Sequence, residues 1–202
     1  MKMVLASKNA HKLVEMKDIL SQLGVEVVLE SDVGVDVEET GTTFEENAYL
    51  KAHAVMEASG LPAIADDSGL MVDALNGAPG VYSARYGGPG LDDAGRYRLL
   101  LENMRGVLDR KCRFVSAITL CMPSGDIVTA RGECPGTLAY APQGENGFGY
   151  DPIFFVPEKK KTFAQLTAEE KNAISHRGRA LQLFQEKLAA YLAGQKEQSN
   201  RI

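Results

Sequence analysis

The sequence contains little cysteine. Its 202 residues include only three, Cys112, Cys121 and Cys134, and these show no C-x-x-C spacing. An odd number of widely spaced cysteines argues against a disulfide framework. A chain of this length buries enough apolar surface to hold a core without disulfides or structural metal. We therefore expect free thiols, a reducing compartment and a cytoplasmic location.

Long apolar runs and an excess of positive charge are also missing. No segment approaches the roughly eighteen apolar residues of a membrane span, and the N-terminus lacks the apolar stretch of a signal peptide. The 22 basic residues are outnumbered by 27 acidic ones, which gives a net charge of -5. We expect neither a membrane nor a nucleic acid polymer as a partner. Any phosphate-binding site must concentrate its positive charge locally.

The order of the predicted elements indicates an α/β fold. With 45% hydrophobic and 24% charged residues and no linker or repeat, residues 1–202 are expected to form one domain. Strands alternate with helices in the first third, where apolar residues recur at helical spacing at Leu13, Met16, Leu20 and Leu23. Later in the chain, Pro123–Asp126 is typical of a four-residue hairpin turn. We expect a mixed sheet and a cleft between two lobes.

Two capping-box patterns mark helix starts. Thr43 with Glu46 precedes a predicted helix over Ala48–Ser59, and Thr167 with Glu170 precedes another. In this pattern the threonine hydroxyl and the glutamate carboxylate each accept a backbone N–H that the first helical turn leaves unpaired.

A pair of adjacent carboxylates follows a short apolar segment. Asp66 and Asp67 come directly after Ala63–Ala65, so the pattern predicts a buried strand that ends in two acids. Buried carboxylates need a metal ion or a cationic side chain. Because side chains alternate along a strand, only one of the two should face a given site. The alternative is a solvated strand end, with Ser68 and Gly69 forming a turn.

An acidic loop, Glu30–Gly41, precedes the helix that begins near Thr43. Glu45 and Glu46 lie where acids favour the helix macrodipole, whereas Glu38 and Glu39 have no such structural reason. Magnesium prefers one or two carboxylates together with water and phosphate oxygens. One carboxylate of this loop, joined to Asp67, would therefore suffice for a metal site. The alternative is a hydrated acidic surface.

The segment Ser7–Lys12 joins the first predicted strand to the first helix. Backbone N–H groups at a helix start, with Lys12 one turn in, make a possible phosphate cradle. The segment is neither a G-x-x-x-x-G-K-[ST] loop nor a G-x-G-x-x-G turn. The alternative is a simple helix cap with exposed lysines.

Cationic residues begin the last predicted helix. His176 and Arg177 follow Ser175, a position where positive charge opposes the helix macrodipole, so their donors are better explained by a ligand carbonyl or phosphate. A solvent-facing turn is the alternative. Read by themselves, Lys51 and Lys171 resemble ordinary surface lysines.

A glycine-rich segment, Gly147–Asp151, surrounds one phenylalanine. Glycines on both sides of Phe148 allow the backbone to approach a flat ligand while the ring stacks on it. The alternative is a phenylalanine of the core.

Two other chemistries fit the sequence poorly. The histidines, His11, His53 and His176, show no H-E-x-x-H or other zinc spacing. Ser68 with His176 and an aspartate would make a nucleophilic triad, but the G-x-S-x-G motif is missing.

Five motifs occur in one order along the chain: Ser7–Lys12, Ala65–Gly69 (A-D-D-S-G), Gly77–Gly80 (G-A-P-G), Phe148–Pro152 (F-G-Y-D-P) and Ser175–Arg177 (S-H-R). Together they closely resemble the inosine triphosphate pyrophosphatase family, the dITP/XTP pyrophosphatases, from Met3 to about Leu192. That family usually has T-x-N-x-x-K in the first motif, and Ser7 replaces the threonine while keeping a hydroxyl.

The resemblance implies a homodimeric enzyme with an ITPase-like α/β fold, an elongated central sheet flanked by helices, and a cleft between two lobes. It implies Mg²⁺-dependent hydrolysis of non-standard purine nucleoside triphosphates, such as ITP, dITP and XTP, to the monophosphate and pyrophosphate. Such an enzyme would remove deaminated purines from the nucleotide pool.

The resemblance also assigns roles to matching positions. Asp67 would be the proton acceptor and a metal ligand, with Asp66 as the alternative base, and Glu38 would be the second metal position. Substrate contacts would come from Ser7, Lys8, Asn9, Ala10, His11, Lys12, Lys51, Ser68, Phe148, Gly149, Tyr150, Asp151, Lys171, His176 and Arg177.

Two alternatives to this function differ in testable ways. A pyrophosphatase of the Maf type would act on pyrimidine or modified nucleotides. A nucleotide-binding sensor would bind ITP without releasing phosphate, although a pure binder has no need of a base beside a metal.

Overall fold

The computed structural model describes residues 1–22, 24–29 and 34–199. Leu23 of the first apolar helical pattern, residues 30–33 of the predicted acidic loop and residues 200–202 of the C-terminal tail lie outside the described residues.

Within these residues the chain forms seven strands and five α-helices, which alternate up to the fourth strand, after which three further strands and then two helices follow. The strands are β1 (Lys2–Leu5), β2 (Glu26–Leu29), β3 (Ala63–Val72), β4 (Lys111–Cys121), β5 (Ile127–Leu138), β6 (Phe154–Val156) and β7 (Lys161–Thr162). The helices are α1 (Ala10–Gln22), α2 (Phe44–Ser59), α3 (Asp93–Asn103), α4 (Ala168–Ile174) and α5 (His176–Ser199). Short 3-10 turns span Asp73–Leu75, Gly80–Arg85, Asp151–Ile153 and Phe163–Gln165.

The strands described form one mixed sheet in the order β2-β1-β3-β4-β5-β6-β7. β1 pairs in parallel with both β2 and β3, whereas β6 runs antiparallel to β5 and to β7. The expected α/β class and mixed sheet are confirmed. In open α/β sheets, ligands bind beyond the carboxyl ends of parallel strands. The chain that leaves β1 and the middle of β3 lie at such an edge.

The chain divides into two compact units. The first comprises Met1–Asp67, Ala117–Gly132 and Arg179–Ile202, and the second comprises Ser68–Ser116 and Glu133–Gly178.

In the first unit, both faces of the sheet are covered. Alternate residues of β1 belong to different clusters, with Met3 and Leu5 packed beside Met16 of α1, and Val4 packed beside Val55 of α2. Ile64 of β3 belongs to the α1 cluster, and Ala63 and Ala65 belong to the α2 cluster. Strand alternation therefore decides which helix each β3 side chain meets.

The second unit has its own aromatic core. Phe114 of β4 lies 4.6 Å from Phe154 of β6 between ring centroids, and 5.7 Å from Phe163, with which it is stacked. Leu70 and Leu100 join the same cluster. Offset and edge-on contacts of this kind add to the stabilisation that comes from burying the rings.

The capping patterns form as predicted. The Thr43 hydroxyl accepts the N–H of Glu46 at 3.1 Å, and the Glu46 carboxylate accepts the N–H of Thr43. The helix begins directly after this cap at Phe44, four residues before the predicted start at Ala48. The second box, at Thr167 and Glu170, is also present. The predicted turn at Pro123–Asp126 closes with Met122 donating to the Asp126 carbonyl.

The observed length of β3 shows that one prediction was wrong. The two acids were expected to end this strand, with a possible turn at Ser68 and Gly69, but the strand continues to Val72. Both carboxylates have cationic partners within the fold, so the strand need not end in water. The Ser83 hydroxyl accepts the N–H of Leu70 at 2.9 Å, which helps to hold the continued strand.

None of the described helices is long and apolar enough to cross a membrane.

All three cysteines are buried free thiols. Burial raises the pKa of Cys112 to about 12 and that of Cys121 to about 11. The thiolate is the reactive form. Native protein at pH 8 should therefore react with Ellman's reagent far more slowly than free cysteine, and three thiols should react promptly in guanidinium chloride. Rapid labelling of the native protein would contradict this arrangement.

Candidate active site

The two adjacent carboxylates of β3 meet different helices. Asp66 lies on the α1 side, and its Oδ1 is 2.7 Å from Nζ of Lys12. The Asp66 side chain is fully buried and that of Lys12 is 14% exposed. A charge taken out of water in this way is tolerated only when it is paired. The pair therefore ties the first turn of α1 to the middle of β3.

Asp67 lies on the α2 side with Lys51 and Glu39. The Lys51 ammonium is 2.7 Å from Glu39 Oε1 and 3.4 Å from Asp67 Oδ1, and it donates to the Asp66 carbonyl at 2.9 Å. These contacts give each of its three donors an acceptor. Lys51 was read as an ordinary surface lysine from the sequence alone, but its side chain is only 16% exposed and has these three acceptors, which corrects that interpretation. We call Lys12, Asp66, Lys51, Asp67 and Glu39 the carboxylate–lysine cluster.

The ionisation of this cluster is perturbed. Burial raises the pKa of Asp67, and the attraction of Lys51 and Lys12 only partly offsets it. Burial acts to lower the pKa of Lys51, but Asp67 and Glu39 outweigh that effect, so its pKa is raised. Among the described residues, Asp67 Oδ2 is buried and has no hydrogen-bond partner. A buried carboxylate oxygen without a hydrogen-bond partner is able to coordinate a cation or to accept a hydrogen bond from water.

The carboxylates present suit a magnesium ion that is completed by substrate and water. Asp67 Oδ2 provides an unpaired anionic oxygen, and Glu39 supplies a second carboxylate in the same cluster. Glu38, expected as the second metal position, has an exposed side chain. Within residues 1–22, 24–29 and 34–199 no three His, Cys, Asp or Glu side chains group together closely enough to enclose a metal. Two carboxylates fit Mg²⁺, which keeps waters and binds phosphate oxygens.

The segment Ser7–Lys12 forms a capped helix start. Asn9 Oδ1 accepts the N–H of His11 at 3.0 Å and of Lys12 at 3.2 Å. The asparagine side chain therefore caps the helix, as in the alternative interpretation of this segment, and it already uses these two N–H groups. Lys8 forms an exposed ion pair of 2.6 Å with Asp36.

Ser7 and Lys8 also line a pocket of about 450 Å³ in the first unit, together with Leu13, Leu29 and Val35. Its lining combines apolar side chains with the Ser7 hydroxyl and the Lys8 ammonium, and the Asp36 carboxylate paired with that ammonium also lines it. The pocket has room for a small phosphate-bearing group.

The second unit holds an aromatic–cation cluster, which we define as Phe148, Asp151, Lys171, Arg177 and Ser68. The Lys171 ammonium, almost fully buried, is 2.7 Å from Asp151 Oδ2 and 4.8 Å from the centre of the Phe148 ring. Asp151 Oδ2 also accepts the N–H of Phe148 at 3.0 Å. Asp151 thus holds both the loop backbone and the lysine. Lys171 was read as a surface lysine, and this geometry corrects that reading too.

His176 and Arg177 are buried where α5 begins. Arg177 is 2% exposed, and its Nη2 donates to the Ser68 hydroxyl at 3.0 Å. The His176 ring stacks on Phe114 with centroids 4.7 Å apart. The alternative of a solvent-facing turn is therefore wrong.

Residues from a distant part of the chain, Ser83 and Asp93, fix the glycine-rich segment. Tyr150 donates its hydroxyl proton to the Ser83 carbonyl at 2.7 Å, so this expected substrate residue is anchored within the fold. Asp93 accepts the N–H of Gly149 at 2.8 Å. Asp93 and Ser83 lie 56 and 67 residues away along the chain, and no local pattern points to either contact.

Comparison with known proteins identifies the family to which this chain belongs. The model of the Ham1 family matches residues 3–187. The chain belongs to the Ham1 family. The resemblance inferred from the five sequence motifs is thereby confirmed.

Two curated relatives in this family carry the same name. A dITP/XTP pyrophosphatase from an Exiguobacterium species is 48% identical over 196 residues, which cover 96% of this chain and all of the relative. One from Shigella flexneri is 51% identical over 188 residues, covering 91% of this chain and 95% of the relative. A solved HAM1 protein from Coxiella burnetii superposes with a TM-score of 0.89 at 44% identity, over 94% of this chain and 99% of that one.

The buried pair of Lys12 and Asp66 gives a stability prediction. Lys12→Met leaves the Asp66 carboxylate buried without its cation, which should lower the free energy of unfolding by about 3 kcal/mol. Urea unfolding measured by circular dichroism at pH 7 would show the loss.

Lys8→Met is the matched control, since it breaks the exposed pair with Asp36 in the same segment. It should leave the urea midpoint unchanged. Equal effects of the two substitutions would show that the Lys12 pair contributes no more than a surface contact.

Proposed function

We propose that this chain hydrolyses non-standard purine nucleoside triphosphates such as ITP, dITP and XTP to the monophosphate and pyrophosphate. The observation that carries the proposal is the buried, unpaired Asp67 oxygen beside Lys51 and Glu39, in a chain of the Ham1 family whose relatives are dITP/XTP pyrophosphatases. Such an activity clears deaminated purines from the nucleotide pool.

In this proposal the carboxylate–lysine cluster acts on the phosphates. A triphosphate carries about four negative charges, which must be neutralised where charge accumulates during attack by water. Lys12 and Lys8 would supply positive charge from the first segment by exchanging or sharing their present carboxylate partners, Asp66 and Asp36, with the phosphates. Lys51 keeps Asp67 and Glu39 in place, and a direct phosphate contact through Lys51 would exchange one of its three present acceptors.

Asp67 is the proposed proton acceptor. Its raised pKa makes the carboxylate a stronger base than an ordinary surface aspartate, and its Oδ2 has no hydrogen-bond partner among the described residues. Asp66 is the less suitable base, because its carboxylate is held by Lys12. Asp67 would therefore orient the attacking water and take its proton as the oxygen bonds to phosphorus and pyrophosphate leaves.

We propose Mg²⁺ as the cation, held by Asp67 with a carboxylate of the 38–39 pair. When bound, the ion would neutralise phosphate charge and lower the pKa of a coordinated water. Glu39 is the better placed of the two glutamates, since it already lies against Lys51.

The aromatic–cation cluster is proposed to select the base. Phe148 offers a ring face for stacking, while His176 and Arg177 offer donors to the 6-oxo group of hypoxanthine or xanthine. Adenine carries an amino group at that position, so donors would face donors and remain unpaired. Sites of this kind discriminate by several powers of ten.

The proposal includes a cytoplasmic homodimer. The free, buried cysteines agree with a reducing compartment. The assembly follows from the resemblance and is measurable by light scattering.

A substrate panel tests the activity. With Mg²⁺, purified protein should release pyrophosphate from ITP and XTP at least about a hundredfold faster than from ATP, judged by kcat/KM. Equal rates on ATP would contradict base selection. Preferential turnover of dTTP or UTP would favour the Maf-type alternative, and calorimetric binding of ITP without product over hours would favour a sensor.

Asp67→Asn separates catalysis from folding. It should lower kcat for ITP by at least about a hundredfold, because the water loses its proton acceptor.

The folded-state pKa of Asp67 is raised, so ionisation of this carboxyl lowers the stability of the protein as pH rises through that pKa. The variant should therefore be as stable as the parent at pH 4 and at least as stable at pH 8. A lower melting temperature at pH 8 would overturn this explanation.

A further inference from the structure

Asn47 is a buried polar residue that the sequence motifs did not single out. It lies in the first turns of α2 and is fully buried. Its Oδ1 accepts the N–H of Gly41 at 2.8 Å. Gly41 comes two residues after Glu39, so this hydrogen bond fixes the backbone next to the carboxylate that meets Lys51.

The contact between Gly41 and α2 is tight. A Cβ atom at Gly41 would lie 2.6 Å from Asn47 Oδ1 and 2.7 Å from Glu46 Cβ. Glycine is therefore needed here for space. The Glu46 carboxylate holds the next residue as well, by accepting the N–H of Thr42 at 2.6 Å. The segment after Glu39 is thus docked on the first turn of α2.

One helical turn separates Asn47 from Lys51, so the two side chains lie on the same face of α2. Asn47 holds the backbone of the segment at Gly41, and Lys51 holds its carboxylate at Glu39, 2.7 Å away. A single rigid helix therefore fixes both ends of the short stretch from Glu39 to Gly41.

An asparagine at position 47 is unfavourable for stability if its only role is packing. Its Nδ2 is buried and has no hydrogen-bond partner within the described part of the chain. An unsatisfied buried donor destabilises a fold, and an apolar side chain of similar size would avoid that penalty. What the asparagine provides in return is the acceptor for Gly41.

We propose that Asn47 is a positioning residue for the reaction, which acts by docking Gly41 on α2 so that Glu39 stays beside Lys51 and Asp67. The effect on turnover rests on the proposed function, whereas the docking of the segment does not.

Amide hydrogen exchange tests the docking without any activity. Asn47→Ala should accelerate exchange at Gly41 by at least about tenfold, because the amide loses its buried acceptor. Gly41→Ala is a second, independent variant, and its added Cβ should free the neighbouring Thr42 amide in the same way. Asn103→Ala is the matched control, since it removes a different asparagine hydrogen bond, to the Tyr86 hydroxyl. Unchanged exchange in both test variants would overturn the proposal.

Kinetics then test whether Asn47 acts through Glu39. Asn47→Ala and Gly41→Ala should each raise the Mg²⁺ concentration needed for half-maximal ITP hydrolysis by about tenfold or more, while Asn103→Ala leaves it unchanged. In a Glu39→Ala background, Asn47→Ala should cause no further loss of kcat/KM. A further loss as large as in the parent would show a merely structural role and overturn the proposal.

The hydrogen-exchange experiment tests this inference independently of the activity that the kinetic experiment measures. If the parent protein does not hydrolyse ITP, the proposed function fails, and the exchange at Gly41 still decides whether Asn47 docks the segment.

Discussion

The structure depends on burying two adjacent carboxylates in the middle of a strand. Moving a carboxylate out of water costs several kcal/mol even after the protein relaxes, and only a close cation offsets it. In β3, Lys12 from α1 pairs closely with Asp66, whereas Lys51 from α2 offsets the burial of Asp67 only in part. The placement of both helices against the sheet is tied to these two contacts.

The two aspartates differ in how completely they are paired. Asp66 is held by a short contact to one lysine, whereas Asp67 shares Lys51 with Glu39 and keeps one oxygen unpaired. Neighbouring carboxylates with different environments can take different roles. Asp66 is paired with a helix of the fold, and the unpaired oxygen of Asp67 supports its proposed role as metal ligand and proton acceptor.

Local features of the fold were predictable from the sequence. The capping box at Thr43 and the turn at Pro123–Asp126 depend on residues a few positions apart, and both form. The end of β3 was not predictable, because the turn pattern of Ser68 and Gly69 is overridden by pairing within the sheet. The ion pairs of the half-buried Lys51 and the buried Lys171 were not predictable either, since their partners lie 12 to 20 residues away along the chain.

The roles of the site residues were likewise only partly predictable from the sequence. The motifs identified the family, and the resemblance to that family assigned roles to Asp67 and to the S-H-R segment. The resemblance assigned the second metal position to Glu38, whereas the structure places Glu39 against Lys51 and leaves Glu38 exposed. This difference depends on how the segment before α2 docks on the helix, which the sequence does not show.

The alternation of β3 between two helices has a consequence for the gene as well as for the protein. Loss of one codon between Ala63 and Asp66 would turn every following side chain of the strand to the opposite face. The first carboxylate would then point at α2 and the second at α1, with the composition of the strand almost unchanged. The helix that each carboxylate meets therefore depends on the number of residues in the strand as well as on their identity.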